Sequence, residues 1–408
     1  MQRTAALPAV RTALAVAVAG AVIALSACGS SDSSGGSAGG FKAPDIPMAK
    51  KLGDKEGAVN ILAWPGYAED GSNDPATDWV TPFEKDTGCQ ATVKYFGSSD
   101  EALNLMKSGD YDVVSASGDA TLRLIAGGYV QPVNTDLLTN YADIQPFLKN
   151  TAYNSVGGQM YGMPQGWGAN LLTYNPDVVK PAPTSWADMF DASSPYQGKV
   201  SAYDSPIYIA DAALVLMKTT PDLKITNPYA LDKKQFDAAV ALLKKQRGIV
   251  GEYWSDYAAQ QQAFEKGDDV LGTSWQVIVN LVEADKKPIQ GVVPDEGSTG
   301  WSDTWMINSK TKHVNCAYAW LDYIGGPQGN AAAAYYFGEA PANAKACDTI
   351  ATVDKDPTFC DTFHAADAAY AKKIWYWTTP ISQCLDGRTN VKCVPYSEWA
   401  KAWTEIKG

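Results

Sequence analysis

Histidine is nearly missing from this chain. His313 and His364 are the only two in 408 residues. They stand far apart and outside any metal-ligand spacing. Ser–His, Cys–His and His-based metal chemistry therefore have little support. No two cysteines stand in CxxC spacing, which argues against zinc binding and thiol redox catalysis. No cofactor and no metal is called for. Positive charge is also short. Lys and Arg total 33 against 45 Asp and Glu, giving a net charge of −12 and a pI near 4.7. With no basic cluster either, nucleic acid is a poor partner.

Long apolar runs are missing too, except at the start. Arg3 and Arg11 precede Ala13–Leu25, 13 residues without a charge. That is too short to span a bilayer comfortably, and it reads as the core of a secretory signal, residues 1–27. The run ends in Leu25-Ser26-Ala27-Cys28-Gly29, which resembles a bacterial lipobox. The resemblance implies cleavage before Cys28 and lipid on its thiol. The protein would then be exported and anchored to the outer face of the cytoplasmic membrane. Gly29–Gly40 is rich in Ser and Gly, so residues 28–56 read as a flexible tether. Six cysteines remain: Cys89, Cys316, Cys347, Cys360, Cys384 and Cys393. An even number in an exported chain suggests three disulfides. Nearness favours Cys384–Cys393 and Cys347–Cys360, leaving Cys89–Cys316.

Aromatic residues are abundant, with 13 Trp and 21 Tyr. One stretch stands out: Gly300-Trp301-Ser302-Asp303-Thr304-Trp305. In a strand, Trp301 and Asp303 point to one face. Indole faces beside a carboxylate suit an organic cation. A core strand using Trp as filler would read the same way.

The chain is long enough for two or three domains. Val59–Trp64 reads as a first strand, stopped by Pro65-Gly66. A helix over Trp79–Lys85, a strand over Ala91–Phe96, and a helix capped near Ser98 and running through Met106 follow. Tyr111–Val114 is a third strand, before a helix from about Ala120 to Ala126. This β-α-β-α order predicts an α/β domain with a largely parallel sheet. Such sheets take ligands at strand carboxyl ends, here Trp64–Tyr67 and Ser117–Asp119. Tyr161–Gly168 is rich in breakers and aromatics. A second α/β unit occupies roughly residues 169–299. Its strands are predicted at Leu171–Asn175, Lys199–Tyr203 and Val270–Trp275. Helices are predicted at Ile209–Met217, Phe236–Lys245, Gln260–Lys266 and, beyond the unit, Ala317–Ile324.

Several separated pieces resemble the spermidine/putrescine-binding proteins of ABC importers. They are Trp64-Pro65-Gly66-Tyr67, Phe83–Gly88, Tyr111–Ser117, Tyr161-Gly162-Met163-Pro164 with Trp167-Gly168, Thr184–Asp188, and Trp301-Ser302-Asp303. Order and spacing hold from about residue 57 to 330. The resemblance implies a two-lobed α/β fold of the type-II periplasmic-binding kind, with a central ligand cleft. Lobe 1 would hold residues 57–168 plus 303–347, and lobe 2 residues 169–300 plus 350–408. Hinge crossings would fall near Gly168, Gly300–Asp303 and Cys347. The implied function is not enzymatic: a monomeric extracytoplasmic receptor closes on an amine and delivers it to ABC permease subunits.

Carried over by position, Trp64 and Tyr67 would line the cleft from the first lobe, and Ser117 would be a polar contact. Trp275 and Trp301 would sandwich the ligand, and Asp303 would take an ammonium. The chain departs from the family pattern at the opposite side. Polyamine-binding relatives carry an acid where Ser205 and Tyr208 stand here. Asp204 is adjacent, and Asp119 stands at a place often aromatic, so either would have to replace it. That departure also admits an amino-acid derivative such as γ-aminobutyrate or an opine, or a sugar. A glycosidase-type hydrolase using Asp119, Asp204 and Asp303, or an adhesive lipoprotein, are readings of other classes.

Overall fold

The computed structural model describes residues 41–408. The secretory signal, Cys28 and the tether up to Gly40 lie outside the described residues. Among those described, no helix is long and apolar enough to cross a membrane.

The apolar runs near the start fold as the sequence indicates. β1 (Ala58–Ala63), β2 (Gln90–Tyr95) and β3 (Val113–Ala116) lie parallel, with β1 in the middle. α1 (Val80–Thr87), α2 (Ser99–Ser108) and α3 (Gly118–Ala126) alternate with them. The Ser98 hydroxyl accepts the Glu101 N–H at 3.2 Å and starts α2, satisfying an otherwise orphaned donor. Gly109, in the left-handed conformation, ends it.

β4 (Met163–Ala169) continues almost directly into β5 (Leu171–Tyr174), yet the two belong to different sheets. Asn170 is the joint. β5 pairs within a five-stranded second sheet that also holds β6 (Val200–Tyr203), β7 (Val250–Trp254), β8 (Leu271–Ser274) and β9 (Gln290–Val292). The order is β7-β6-β8-β5-β9. Helices α4 (Ile209–Thr219), α5 (Lys233–Gln246), α6 (Tyr257–Lys266) and α7 (Gln276–Ala284) accompany it.

β10 (Ser298–Asn308) then returns to the first sheet, antiparallel to both β3 and β4. β11 (Ala340–Pro341) extends the sheet beyond β4, giving the order β11-β4-β10-β3-β1-β2. β12 (Ile374–Tyr376) adds to the start of β10. The first sheet is therefore mixed rather than largely parallel. Strands that return from the second lobe enter it with reversed direction. α8 (Val314–Ile324) and α9 (Pro327–Phe337) cover it, and α10 (Tyr396–Lys407) packs near α5 in the second lobe.

All eleven residues of β10 are buried. Trp301 joins the apolar cluster of the second lobe, whereas Trp305 joins that of the first. Between the two sheets, Asn170 Nδ2 donates to Thr299 Oγ1 at 2.7 Å, and Trp275 Nε1 donates to Asn170 Oδ1 at 3.1 Å. The chain near Cys347 packs into the same apolar cluster as Trp305, as do Ile350, Phe359, Phe363 and Ile374; that cluster also takes in Leu171, Trp254 and Ile278 from the second lobe. The passage to second-lobe packing comes later, between Ile374 and Trp377. This differs from the crossing implied near Cys347. It also splits residues 350–408 between the two cores.

Three disulfides are present, Cys89–Cys316, Cys347–Cys360 and Cys384–Cys393, in the pairing that nearness favours.

Candidate ligand-binding site

Asp303 sits on β10 beside a register shift, between the part of the strand that faces the second core and the part that faces the first. It is 4% exposed. Its Oδ2 accepts the Tyr67 hydroxyl at 3.0 Å. The same hydroxyl lies 2.8 Å from Oε2 of Glu339, which is 1% exposed. Glu339 Oε1 accepts from Gln165 Nε2 at 3.1 Å, and Gln165 Oε1 from Trp305 Nε1 at 2.7 Å. Gly338, with φ 82°, turns the chain after α9 and delivers Glu339 into this network.

Tyr67 has one hydroxyl proton and two carboxyl neighbours. It can donate to only one of them at a time. Among the described residues no Lys, Arg or His forms an ion pair with Asp303 or Glu339. Asp303 Oδ1 accepts no hydrogen bond of ordinary geometry. The pair is thus one positive hydrogen, or one cation, short.

The titration behaviour follows from that shortage. Burial pushes Asp303 up to about 7; the nearby Ser117 and Tyr67 hydroxyls pull down, and the charge of Asp119 adds to the rise. Glu339 is held well above the carboxylate range, first by burial and then by Asp303. Burial and both acids raise Tyr67 well above the phenol range, so it stays protonated as a donor.

Indoles and phenyl rings wall the acids. Trp301 meets Trp275 and Phe337 edge-on, each with centroids 5.9 Å apart. Tyr67 meets Phe337 at 4.9 Å. A narrow pocket beside them is lined by Trp167, Gly168, Trp275, Trp301, Glu339 and His364. Gly168 leaves the room that Trp301 uses, because a Cβ there would lie 2.8 Å from Cζ2 of the indole.

Of the residues expected from sequence, Trp64, Tyr67, Ser117, Trp275, Trp301 and Asp303 gather here. Trp64 reaches the group through Ser117, its Nε1 donating to Oγ at 3.2 Å, while its ring lies against Phe96 at 4.4 Å. Asp119, close enough to raise Asp303, and Asp204 and Tyr208 already have partners of their own. Asp119 accepts from Ser99 at 2.9 Å and lies 3.9 Å from Arg123. Asp204 is taken by Trp403 at 2.9 Å and Lys407 at 2.7 Å. Tyr208 is buried in the second core, exchanging hydrogen bonds with Gln246. Glu339 is the functional candidate that sequence reasoning missed. Its available signal was a lone acid between Phe337-Gly338 and Ala340-Pro341, an apolar setting with a breaker on each side.

A two-lobed α/β frame joined by paired strands, with an acid and indoles at the joint, defines the class: the type-II periplasmic-binding-protein fold. Residues 78–360 match the bacterial extracellular solute-binding proteins, and the chain belongs to that family. It is 26% identical over 281 residues to spermidine/putrescine-binding periplasmic protein 1 of Haemophilus influenzae, covering 68% of this chain and 72% of the relative. Two solved structures share the fold. A putative spermidine/putrescine ABC transporter protein of Listeria monocytogenes superposes with a TM-score of 0.67 at 18% identity, covering 86% and 99% of the two chains. The Atu4243–GABA receptor gives 0.65 at 17%, covering 86% and 98%.

Proposed function

We propose that this protein is the extracytoplasmic receptor of an ABC importer. It captures a small cationic amine between its lobes and passes it to the membrane permease. Lipid on Cys28 would hold it at the outer face of the membrane. The observation that carries this reading is the buried Asp303–Tyr67–Glu339 network, two carboxyl groups with one shared donor and no cation. An ammonium at this place would complete the charge, and Trp275, Trp301 and Phe337 would cover its methylenes. The spermidine/putrescine-binding relative supports the amine class.

The γ-aminobutyrate reading draws on the GABA receptor's fold alone. A zwitterion also needs a cationic partner for its carboxylate. Arg123 in α3, partly buried, already faces two acids, Asp100 and Asp119. The amine reading is therefore the better supported.

The test is a thermal-shift panel of amines, amino acids and sugars on the purified mature protein at pH 8. Amines should raise the midpoint, and sugars should leave it unchanged. Stabilisation by sugars alone would refute the reading.

A further inference from the structure

Open α/β folds take ligands beside the carboxyl ends of their strands. In this protein two of those ends, at β3 and β6, are covered by its own C-terminal segment. The Trp377 indole stacks on Tyr203, the last residue of β6, with centroids 5.4 Å apart and planes at 19°. Its backbone N–H donates to Gly300 O at 2.7 Å. Two residues on, the Thr379 N–H donates to Gly118 O at 2.9 Å, and its hydroxyl donates to Asp119 O at 2.9 Å, at the start of α3. The fit leaves no slack: a Cβ on Gly118 would lie 1.8 Å from the Trp377 carbonyl oxygen. Beyond this point the segment is closed by Cys384–Cys393, and its α10 residues Trp403 and Lys407 hold Asp204.

A second observation is independent of that packing. A diamine needs an acid at each end. Asp303 and Glu339 form one such place. The acids that could serve the other end are spent: Asp119 on Ser99 and Arg123, Asp204 on Trp403 and Lys407. A second ammonium in this cleft would be desolvated without a partner.

We propose that residues Trp377–Thr379 form a strap that fills the far end of the cleft and restricts the ligand to a short monocation, with Trp377 as the specificity-determining side chain. The proposal rests on the amine reading above and narrows it.

The test compares butylammonium, putrescine and spermidine by isothermal titration calorimetry at pH 8 on the mature protein, Trp377→Ala and Gly118→Ala. The first variant removes the stacking ring; the second pushes the strap away from the opposite side, so either one suffices if the other fails to fold. In the unaltered protein butylammonium should bind at least about tenfold more tightly than spermidine. Each folded variant should shift that ratio toward spermidine by about tenfold or more. Equal or tighter binding of putrescine or spermidine to the unaltered protein overturns the strap and leaves the amine reading standing. An unchanged ratio in the variants overturns it likewise. Binding of no amine at all overturns both.

Discussion

At the scale of single residues, the buried acid pair makes the protein's behaviour depend on pH in two opposite ways. A carboxyl whose folded pKa is raised favours folding while it is protonated. That stability is complete below the ordinary carboxylate range and is lost as pH rises through the folded value. Asp303, at about 7, and Glu339, also raised, therefore predict an unliganded protein whose thermal midpoint falls between about pH 5 and pH 8. Asp211, at about 7, and Asp269, at about 6, add to the same slope. Glu339→Gln should flatten part of it and raise the unliganded midpoint at pH 8. Amine affinity runs the other way, because an ammonium competes with the proton. It should rise through the same window by up to about tenfold per pH unit. Calorimetry in buffers of different ionisation enthalpy would register the released proton, and a flat affinity profile would contradict the assignment. Asp303→Asn should weaken the amine by about 1.5–3 kcal/mol, read in the same titrations. The sequence exposed Asp303 because indoles flank it at strand spacing. It concealed Glu339, whose role depends on Tyr67, 272 positions away. It misdirected toward Asp204 because the partners of that acid, Trp403 and Lys407, arrive from a helix almost 200 residues later.

At the scale of elements, β1, β2, α2 and α3 could be read because their signals are local: β-branched runs, a serine cap, a terminal glycine. β4 could not, since Pro164, Gly166 and Gly168 look like loop residues, and only pairing with β10 and β11 makes them a strand. β10 was legible in the two-residue spacing of Trp301 and Asp303 but extends to eleven residues, all buried. A strand covered on both faces has no polar side to alternate. The two disulfides that flank different elements should differ in effect. Cys89–Cys316 closes a separation of 227 residues between the end of α1 and α8, so replacing both with Ala should cost roughly 3–5 kcal/mol in chemical denaturation. Cys384–Cys393 closes only 9. Its loss should cost less stability, about 2–3 kcal/mol, yet loosen the segment that follows Trp377, so that spermidine gains on butylammonium.

At the scale of the whole molecule, the two lobes are joined by strands that cross side by side, at Asn170 and at Thr299 to Asp303. They also touch around the acids: a Cβ on Gly338 would lie 2.5 Å from Cγ2 of Val277, and Phe337 packs on Trp301. A ligand that contacts both lobes favours the closed arrangement by its differential affinity. Small-angle scattering should therefore show the mature protein contracting on amine addition, with Asp303→Asn requiring much more amine for the same change. No contraction at saturating amine would count against closure. The two-lobed plan could be anticipated from the order of α/β units and from family resemblance. The course of residues 350–408 could not, because they divide between two cores that local patterning does not distinguish.

The return of β10 also sets the order in which the protein can assemble. The five strands of the second sheet lie within Leu171–Val292, one uninterrupted stretch. The first sheet begins at Ala58 but lacks its central strand until Asn308 has followed. The later part of the chain can therefore finish a sheet first, while β1, β2 and β3 wait with one edge open. Such an edge is a pairing hazard until it is covered.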